Sequence, residues 1–287
     1  MADVAQSARS FVPALNGPAA LARSRGTLSL TLHDRLGVTR IASLREEGCL
    51  RVRFPRGAVA APVEAVVMNT AGGLTGGDII KQEFEWGEQA RGAITTLTAE
   101  KIYRSLGSPV YVTTKIRIAA NADVEWLPQE TILFDRSDLD RTLDVEMSAD
   151  ATFLAVEIIV FGRTAMGETM TEGRLADRWR IRRNGRLIYA DSLRLEGSPQ
   201  TMLDLPAVGN GARAVATLLF VAHDAGARLE ALRAVVGRVP DRSAASSWNG
   251  LLVARFLASD GAALRQNLLP ALASLRGERA LPSAWSC

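Results

Sequence analysis

Apolar and polar residues alternate with a period of two along most of this chain, and this alternation limits the possible folds more than any other feature. The alternating runs fill residues 27–222 and are separated by glycine, proline or Asn-Gly turns. Successive side chains of a β-strand point to opposite faces, so each run predicts a strand with one buried face. Leu28, Leu30 and Leu32 make one such run. The sequence therefore predicts a mainly β fold with a β-rich body over residues 27–222.

One hairpin and two fully buried strands can be placed within this body. Asn184-Gly185 joins two alternating runs between Arg178 and Leu193. Asn-Gly is the preferred pair for a type I′ turn, so these runs predict a β-hairpin. Residues 152–161 and 215–222 are nearly continuous apolar runs, which are typical of strands buried on both faces.

The apolar pattern changes after Asp224. Helical spacing follows, with apolar residues at Leu229, Leu232, Val235 and Val236, then over 251–257, and at Leu264, Leu268 and Leu269. Pro270 is expected to disrupt the last helix. We predict a flexible segment at residues 1–26 and a helical C-terminal extension at residues 223–287, all in one structural unit. The extension either packs on the β body or presents an apolar face to another protein.

Few residues of this chain are suited to hold a transition metal tightly. Its cysteines, Cys49 and Cys287, and its histidines, His33 and His223, have no spacing typical of a zinc site. The sequence shows no signal-peptide core and no run of about 18 apolar residues, so we expect a cytoplasmic protein without membrane contact. The net charge of +3 comes without a basic run interleaved with aromatic residues, which argues against a nucleic-acid partner.

A glycine-rich loop follows the predicted strand at residues 63–68. It contains Gly72, Gly73, Gly76 and Gly77 and ends at Asp78. A phosphate-binding P-loop would need Gly-Lys-Ser/Thr at this end, and a dinucleotide fingerprint would need a helix where residues 79–86 look extended. Both nucleotide interpretations are therefore excluded. The loop either serves a function or is a turn that Asp78 caps by accepting backbone N–H groups.

Three further segments combine charged and aromatic residues. They are Glu100-Lys101-Ile102-Tyr103-Arg104-Ser105, Trp126-Leu127-Pro128-Gln129-Glu130, and Phe161-Gly162-Arg163 through Gly167-Glu168. Each segment by itself is explained by ion pairing, by the end of a core strand or by a turn. Together with the loop at 72–78, in this order and at these spacings, they closely resemble the UreD family of urease accessory proteins, also named UreH. The resemblance runs from Leu28 to Leu219 and departs from the family at residues 69–71, where prolines are more usual.

The resemblance implies a non-enzymatic chaperone for urease. Members of the family dock on the urease apoprotein and recruit the accessory proteins UreF and UreG, the latter a GTPase that carries nickel. It also implies a many-stranded, β-helix-like stack with a few α-helices toward the C-terminus. On this basis we expect nickel in transit and no permanently bound cofactor. The β body is expected to contact the urease structural subunits, and the helical extension the accessory partner.

The four motifs contain four acidic residues, Asp78, Glu100, Glu130 and Glu168, which we expect to line a transient nickel path. Nickel binds strongly to nitrogen and thiolate ligands, whereas a conduit needs ligands that release the ion. Carboxylates and water meet that need. The other motif residues are expected to organise the structure: Gly72, Gly73, Gly76, Gly77, Lys101, Tyr103, Arg104, Trp126, Pro128, Gly162, Arg163 and Gly167.

Two other functions remain open at this point. A β-rich carbohydrate hydrolase would need two carboxyl groups about 5 to 9.5 Å apart, such as Asp78 with Glu130 or Glu168. A generic β-rich binding module would need the four motifs only for structure.

Overall fold

The alternating runs form seventeen strands in the computed structural model, which describes residues 23–55, 62–163, 166–237 and 242–285. The strands are β1 (Arg25–Arg35), β2 (Val38–Gly48), β3 (Leu50–Arg53), β4 (Val63–Asn69), β5 (Ile79–Trp86), β6 (Arg91–Thr96), β7 (Glu100–Ile102), β8 (Val110–Ile118), β9 (Asp123–Leu127), β10 (Thr131–Leu133), β11 (Asp138–Met147), β12 (Thr152–Phe161), β13 (Gly173–Arg183), β14 (Arg186–Gly197), β15 (Ala214–Val221), β16 (Ser243–Trp248) and β17 (Leu251–Ala258). Most of the predicted flexible segment 1–26 lies outside the described residues, as does Cys287.

The strands wind into a β-solenoid-like stack of about four turns, which confirms the predicted fold class. Each turn gives one strand to a first sheet (β14-β13-β11-β8-β5-β1-β2) and one to a second sheet (β16-β17-β15-β12-β9-β6-β4-β3). The turns pair β4 with β6, β6 with β9 and β9 with β12 in the second sheet, all in parallel. The first sheet repeats this pattern through β5, β8, β11 and β13. Antiparallel hairpins end the first sheet on both sides, at β1-β2 and β13-β14.

A short third ladder runs along one corner of the stack, and we call it the corner ladder. It consists of Leu74, β7, β10 and residues 159–161 of β12. Its register places Lys101 beside Ile132 and Ile132 beside Val160. Since side chains alternate along a strand, one set of ladder residues points into the stack and the other points out.

Two apolar cores hold the molecule together. One fills the interior between the sheets, where Phe84 lies 5.6 Å from Trp126 between ring centroids. The other lies between the second sheet and two helices, and it contains Leu218, Phe220, Leu268 and Leu272. Strand β12 contributes to both cores, which explains its continuous apolar run.

Within the described residues, three α-helices follow the parallel strands: α1 (Pro199–Asp204), α2 (Leu229–Val236) and α3 (Gly261–Arg276). The prediction of α2 is confirmed. The prediction of a helical segment at residues 251–257 is wrong, because this run forms β17 and pairs with β15. Its contiguous apolar residues are buried on both faces of the second sheet, which a strand allows and an amphipathic helix does not. Residues on both sides of position 222 therefore share one sheet.

Helix α3 continues through Pro270, contrary to the expected disruption. The proline ring faces solvent, while Ala271, Leu272 and Leu275 beyond it are buried in the second core. Burying each leucine contributes about 1.5–3 kcal/mol, which offsets the cost of a proline in a helix interior, about 3 kcal/mol.

The predicted Asn-Gly hairpin is confirmed. Asn184 and Gly185 connect β13 to β14 with φ angles of 50° and 73°. A type I′ turn needs a positive φ at both central residues, and asparagine and glycine tolerate it best.

A buried ion pair joins α3 to β9. Arg276 and Glu125 have side chains that are only 5% and 3% exposed. The guanidinium donates to both carboxylate oxygens, at 2.8 Å from Nη2 to Oε2 and 3.0 Å from Nε to Oε1. Its Nη1 donates to the carbonyl oxygens of Arg279 and Ala280. Arg276 therefore binds a buried carboxylate and the chain segment that follows its own helix at once.

Candidate functional site

The structure stacks the four sequence motifs at one corner, in consecutive turns. Leu74 of the glycine loop pairs with Ile102, and Glu100–Ile102 pair with Thr131–Leu133. The segment at 162–168 begins where β12 leaves the same ladder, and Gly162 donates its N–H to the carbonyl oxygen of Leu133. The motifs are 20 to 40 residues apart in sequence because one turn of the stack has about that length.

Two features of the loop at 72–78 require glycine. Neighbouring atoms come close to its backbone, and several of its φ angles are positive. Gly73 has a φ of 146°, and a Cβ there would collide with the ring of Tyr103. A Cβ at Gly76 would collide with Ser105 and with the carbonyl oxygen of Ser108. The hydroxyl of Tyr103 also donates to the carbonyl oxygen of Gly72 at 2.9 Å. The loop is thus packed against the second motif.

Asp78 is 2% exposed and binds backbone, which agrees with the capping interpretation. Its Oδ1 accepts the N–H of Ser24 at 2.7 Å, and its Oδ2 accepts the N–H of Thr75 at 2.8 Å. The carboxylate therefore closes the glycine turn and attaches the start of β1 to it.

Asp78→Ala is expected to lower the free energy of unfolding by about 1–3 kcal/mol, because two partly buried N–H groups lose their acceptor. Denaturant unfolding of the purified variant measures this change. Asp34→Ala is the control, since Asp34 accepts the N–H of Gly37 in an exposed turn and should contribute about 0.5 kcal/mol or less. Unchanged stability in Asp78→Ala, together with lost urease activation, would instead favour a place for Asp78 on the nickel path.

Glu100 points into the stack and has no ion-pair partner within the described residues. The side-chain amide of Asn69 donates to both of its oxygens at 3.1 Å, and the N–H of Lys101 donates to Oε1 at 3.2 Å. Burial raises the pKa of Glu100 to about 7, although these hydrogen bonds and the Lys101 charge lower it. Glu100 is therefore poised to change charge near neutral pH.

The other two candidate acids lie on the outside of the corner and are paired with arginines. Glu130 is 3.0 Å from Arg265 of α3, measured from Oε1 to Nη1. Glu168 pairs with Arg163 and accepts the N–H of Asp135 at 2.8 Å. The four predicted acids thus do not meet at one site.

The remaining motif residues divide between buried and exposed positions. Trp126 is buried, and Pro128 lines an interior cavity. Lys101, Tyr103 and Arg104 are exposed, and the Tyr103 ring meets Phe134 edge-on at 5.0 Å between centroids. The guanidinium of Arg163 lies 4.6 Å above the Phe134 ring. Gly162 and Gly167 have φ angles of 85° and 72°, a conformation that favours glycine.

A cavity of about 70 Å³ lies inside the stack next to Glu100, and most of its surface is apolar. Eight polar residues also contribute to its lining: Gln82, Thr96, Glu100, Thr114, Gln129, Thr131, Arg141 and Glu157. A second cavity of about 130 Å³ shares Gln82, Thr96 and Glu100 and extends to the exposed Leu97. Glu100 therefore stands between the interior and the surface.

Two residues of the cavity lining, Arg141 and Glu157, form a buried cluster with Asp177. Arg141 binds Asp177 through two contacts of 2.9 Å, from Nε to Oδ1 and from Nη2 to Oδ2. Its Nη1 lies 2.5 Å from Oε2 of Glu157, whose Oε1 accepts the indole N–H of Trp126 at 2.9 Å. Burial raises the pKa of Glu157, with Arg141 acting against it. One cation thus faces two buried carboxylates.

The sequence interpretation missed Gln82, Arg141, Glu157 and Asp177. A signal for them exists, because Arg141 takes an inward position in the alternation of Leu139, Leu143 and Val145. A charge at an inward position of a strand is costly unless it is paired. Such positions mark polar sites inside a β stack.

No group of three or more His, Cys, Asp and Glu side chains is arranged to hold a metal ion within the part of the chain that the structure describes. Over those same residues, none of the helices has the length and apolar character needed to cross a membrane.

Comparisons with known proteins cover nearly the whole chain. The family described as UreD urease accessory protein matches residues 24–286. A protein of Xanthobacter autotrophicus named urease accessory protein UreD is 46% identical over 264 residues, covering 92% of this chain and 90% of its own length. A protein of the same name from Brucella suis is 44% identical over 276 residues, covering 95% of this chain and 97% of its own length. The chain belongs to the UreD family of urease accessory proteins.

Proposed function

We propose that this protein is a cytoplasmic maturation chaperone that binds the urease apoprotein together with UreF and the GTPase UreG, and that nickel passes through its interior. The family supports a role in urease maturation. The observation that carries the nickel route is the set of polar residues that line the cavity from Glu100 to Arg141.

The polar residues in this mostly apolar lining are difficult to explain by stability alone. Burying a hydroxyl, amide or carboxylate costs free energy unless each group is hydrogen-bonded, and an apolar filling would avoid that cost. Gln82 is 9% exposed, and its Oε1 has no hydrogen-bond partner within the described structure. A cation in the cavity would interact favourably with both the unpaired carbonyl oxygen of Gln82 and the carboxylate of Glu100.

The ligand chemistry of this route suits passage. Its donors are carboxylate, amide and hydroxyl oxygens, which hold Ni²⁺ less firmly than histidine or thiolate. Passage requires an affinity high enough for entry and low enough for release. Among the four acids from the sequence motifs, Glu100 is the one whose position supports the route, while Glu130 and Glu168 are held outside by arginines.

Glu100→Gln is expected to lower urease activation about tenfold, because the charged oxygen at the entrance is lost. The tagged variant is co-expressed with the urease subunits and accessory proteins, and urease activity and nickel content are measured. A pull-down in the same strain reports whether urease, UreF and UreG are still retained.

Glu172→Gln is the matched control, since Glu172 is an exposed acid that pairs with Arg136 on the surface. Normal nickel content of urease with Glu100→Gln would contradict the route. Retention of neither urease nor the accessory proteins by the folded wild-type chain would contradict the chaperone function itself.

The hydrolase alternative gains no support from the geometry. Both oxygens of Asp78 accept backbone N–H groups, and Glu130 and Glu168 are each paired with an arginine. Such carboxylates are poorly placed to donate a proton or to activate water.

A further inference from the structure

We propose that Arg141 is a resident counter-cation that prevents the interior carboxylates from retaining a divalent metal. This inference rests on the nickel route proposed above and concerns how that route releases its cargo.

The guanidinium of Arg141 lies where two carboxylates converge. It contacts Asp177 through Nε and Nη2 and Glu157 through Nη1, and Nη1 also donates to the hydroxyl of Thr131 at 3.1 Å. Two carboxylates and a hydroxyl are oxygen ligands of the kind that divalent cations bind. Arg141 thus takes the position that a bound metal would need.

The charge balance explains why an arginine is useful there. With both carboxylates ionised and Arg141 present, the cluster has a net charge of −1. Without it, two negative charges would remain in a buried environment, where the attraction for a divalent cation is much stronger than in water. Arg141 therefore leaves enough negative charge to attract a cation and too little to hold it.

One further observation agrees with this role. The Oε1 atom of Gln82, a residue of the same cavity lining, is buried and has no hydrogen-bond partner in the described structure. Glu157 and Asp177 both contact Arg141, and they are not part of a group of three or more His, Cys, Asp and Glu side chains that could hold a metal ion among the described residues. The cavity therefore offers oxygen ligands for a cation, while Arg141 already offsets part of the negative charge of Glu157 and Asp177.

The test measures Ni²⁺ binding to the purified full-length chain by equilibrium dialysis, with the metal quantified after desalting. Arg141→Met is expected to bind Ni²⁺ at least about tenfold more tightly than the wild type and to retain about one ion per chain. Arg178→Met is the matched control, because Arg178 is the neighbour of Asp177 in sequence and pairs with Asp140 outside the cavity. Arg178→Met should bind as the wild type does.

A second measurement separates this role from a purely structural one. Ni²⁺ should raise the thermal midpoint of Arg141→Met and leave that of the wild type unchanged, whereas loss of a merely structural arginine would give destabilisation that Ni²⁺ does not reverse. The double variant Arg141→Met/Asp177→Asn restores the net charge of the wild-type cluster and should lose the added retention.

If Arg141→Met does not fold, Arg141→Gln serves as the test. Glutamine removes the charge but keeps an amide that can donate to a carboxylate, so Ni²⁺ binding should again tighten. A folded Arg141→Gln or Arg141→Met protein that binds Ni²⁺ no more tightly than the wild type would overturn the inference. Ni²⁺ binding by the Arg141 variants is measured without urease. A negative result there can therefore be told apart from normal urease activation with Glu100→Gln, which would instead contradict the nickel route.

Discussion

At pH 8, the free energy of unfolding of the Glu100→Gln protein is expected to be about 3 kcal/mol higher than that of the wild type. Burial raises the pKa of Glu100 from 4.5 to about 7, and each unit of pKa shift corresponds to about 1.4 kcal/mol. The charged form is therefore disfavoured in the folded protein. Glutamine keeps an oxygen that accepts from Asn69 and Lys101 but never carries the charge.

The pH window follows from the sign of this shift. Below pH 4.5 the carboxyl is protonated in both the folded and unfolded states, so Glu100 costs no stability. As the pH rises from 4.5 to about 7, the unfolded state loses its proton first, and the wild type loses stability relative to the variant. The difference is complete above pH 7. Denaturant unfolding of both proteins at pH 4, 6 and 8 measures it.

Glu172→Gln again provides the control, since this exposed acid should show little difference between pH 4 and pH 8. A constant difference between Glu100→Gln and the wild type across that range would show that Glu100 titrates normally. Together with the expected loss of urease activation, a more stable Glu100→Gln protein would mean that the wild type keeps a destabilising charge for function.

Arg276→Met is expected to lower the free energy of unfolding by about 3–5 kcal/mol. The substitution leaves Glu125 buried with one remaining partner, Arg279, whose Nη1 is 3.1 Å from Oε1. Removing one partner of a buried ion pair is costly because the other charge stays desolvated. It also frees the carbonyl oxygens of Arg279 and Ala280.

Thermal and denaturant unfolding measure this loss, with Arg194→Met as the control. Arg194 and Glu196 form an exposed pair, with side chains 68% and 60% accessible, and its loss should cost about 1 kcal/mol or less. Equal effects of the two substitutions would show that burial does not set the contribution of the Arg276 pair. A large loss of stability in Arg276→Met should be accompanied by detachment of α3 from the face of the second sheet.

The strands could be predicted because their signal is local. Period-two alternation identified the β-rich body, and the Asn-Gly pair identified the hairpin between β13 and β14. The run at 251–257 was misassigned because a short apolar segment fits a buried helix and a buried strand equally well. Its pairing with β15, from Val221 with Leu251 to Ala214 with Ala258, decided between them.

The candidate site was only partly predictable because it depends on register. Glu100 and Glu130 both lie in matching motifs, yet one faces the cavity and the other faces Arg265. Glu157 and Asp177 meet Arg141 across neighbouring turns of the stack, through distances that no local pattern encodes. The sequence shows which residues are charged, while the winding of the chain decides which charges meet.

The antiparallel hairpins at both ends of the first sheet also bear on behaviour at high concentration. A stack of parallel turns can be extended by adding further turns, so an open end could pair with a turn from another molecule and begin a fibre. Strands β2 and β14 reverse the chain direction at these ends and carry charged residues such as Arg45, Glu47, Arg194 and Glu196. Exposed charges on an edge strand oppose pairing between molecules. The hairpins thus protect a repetitive architecture from aggregation.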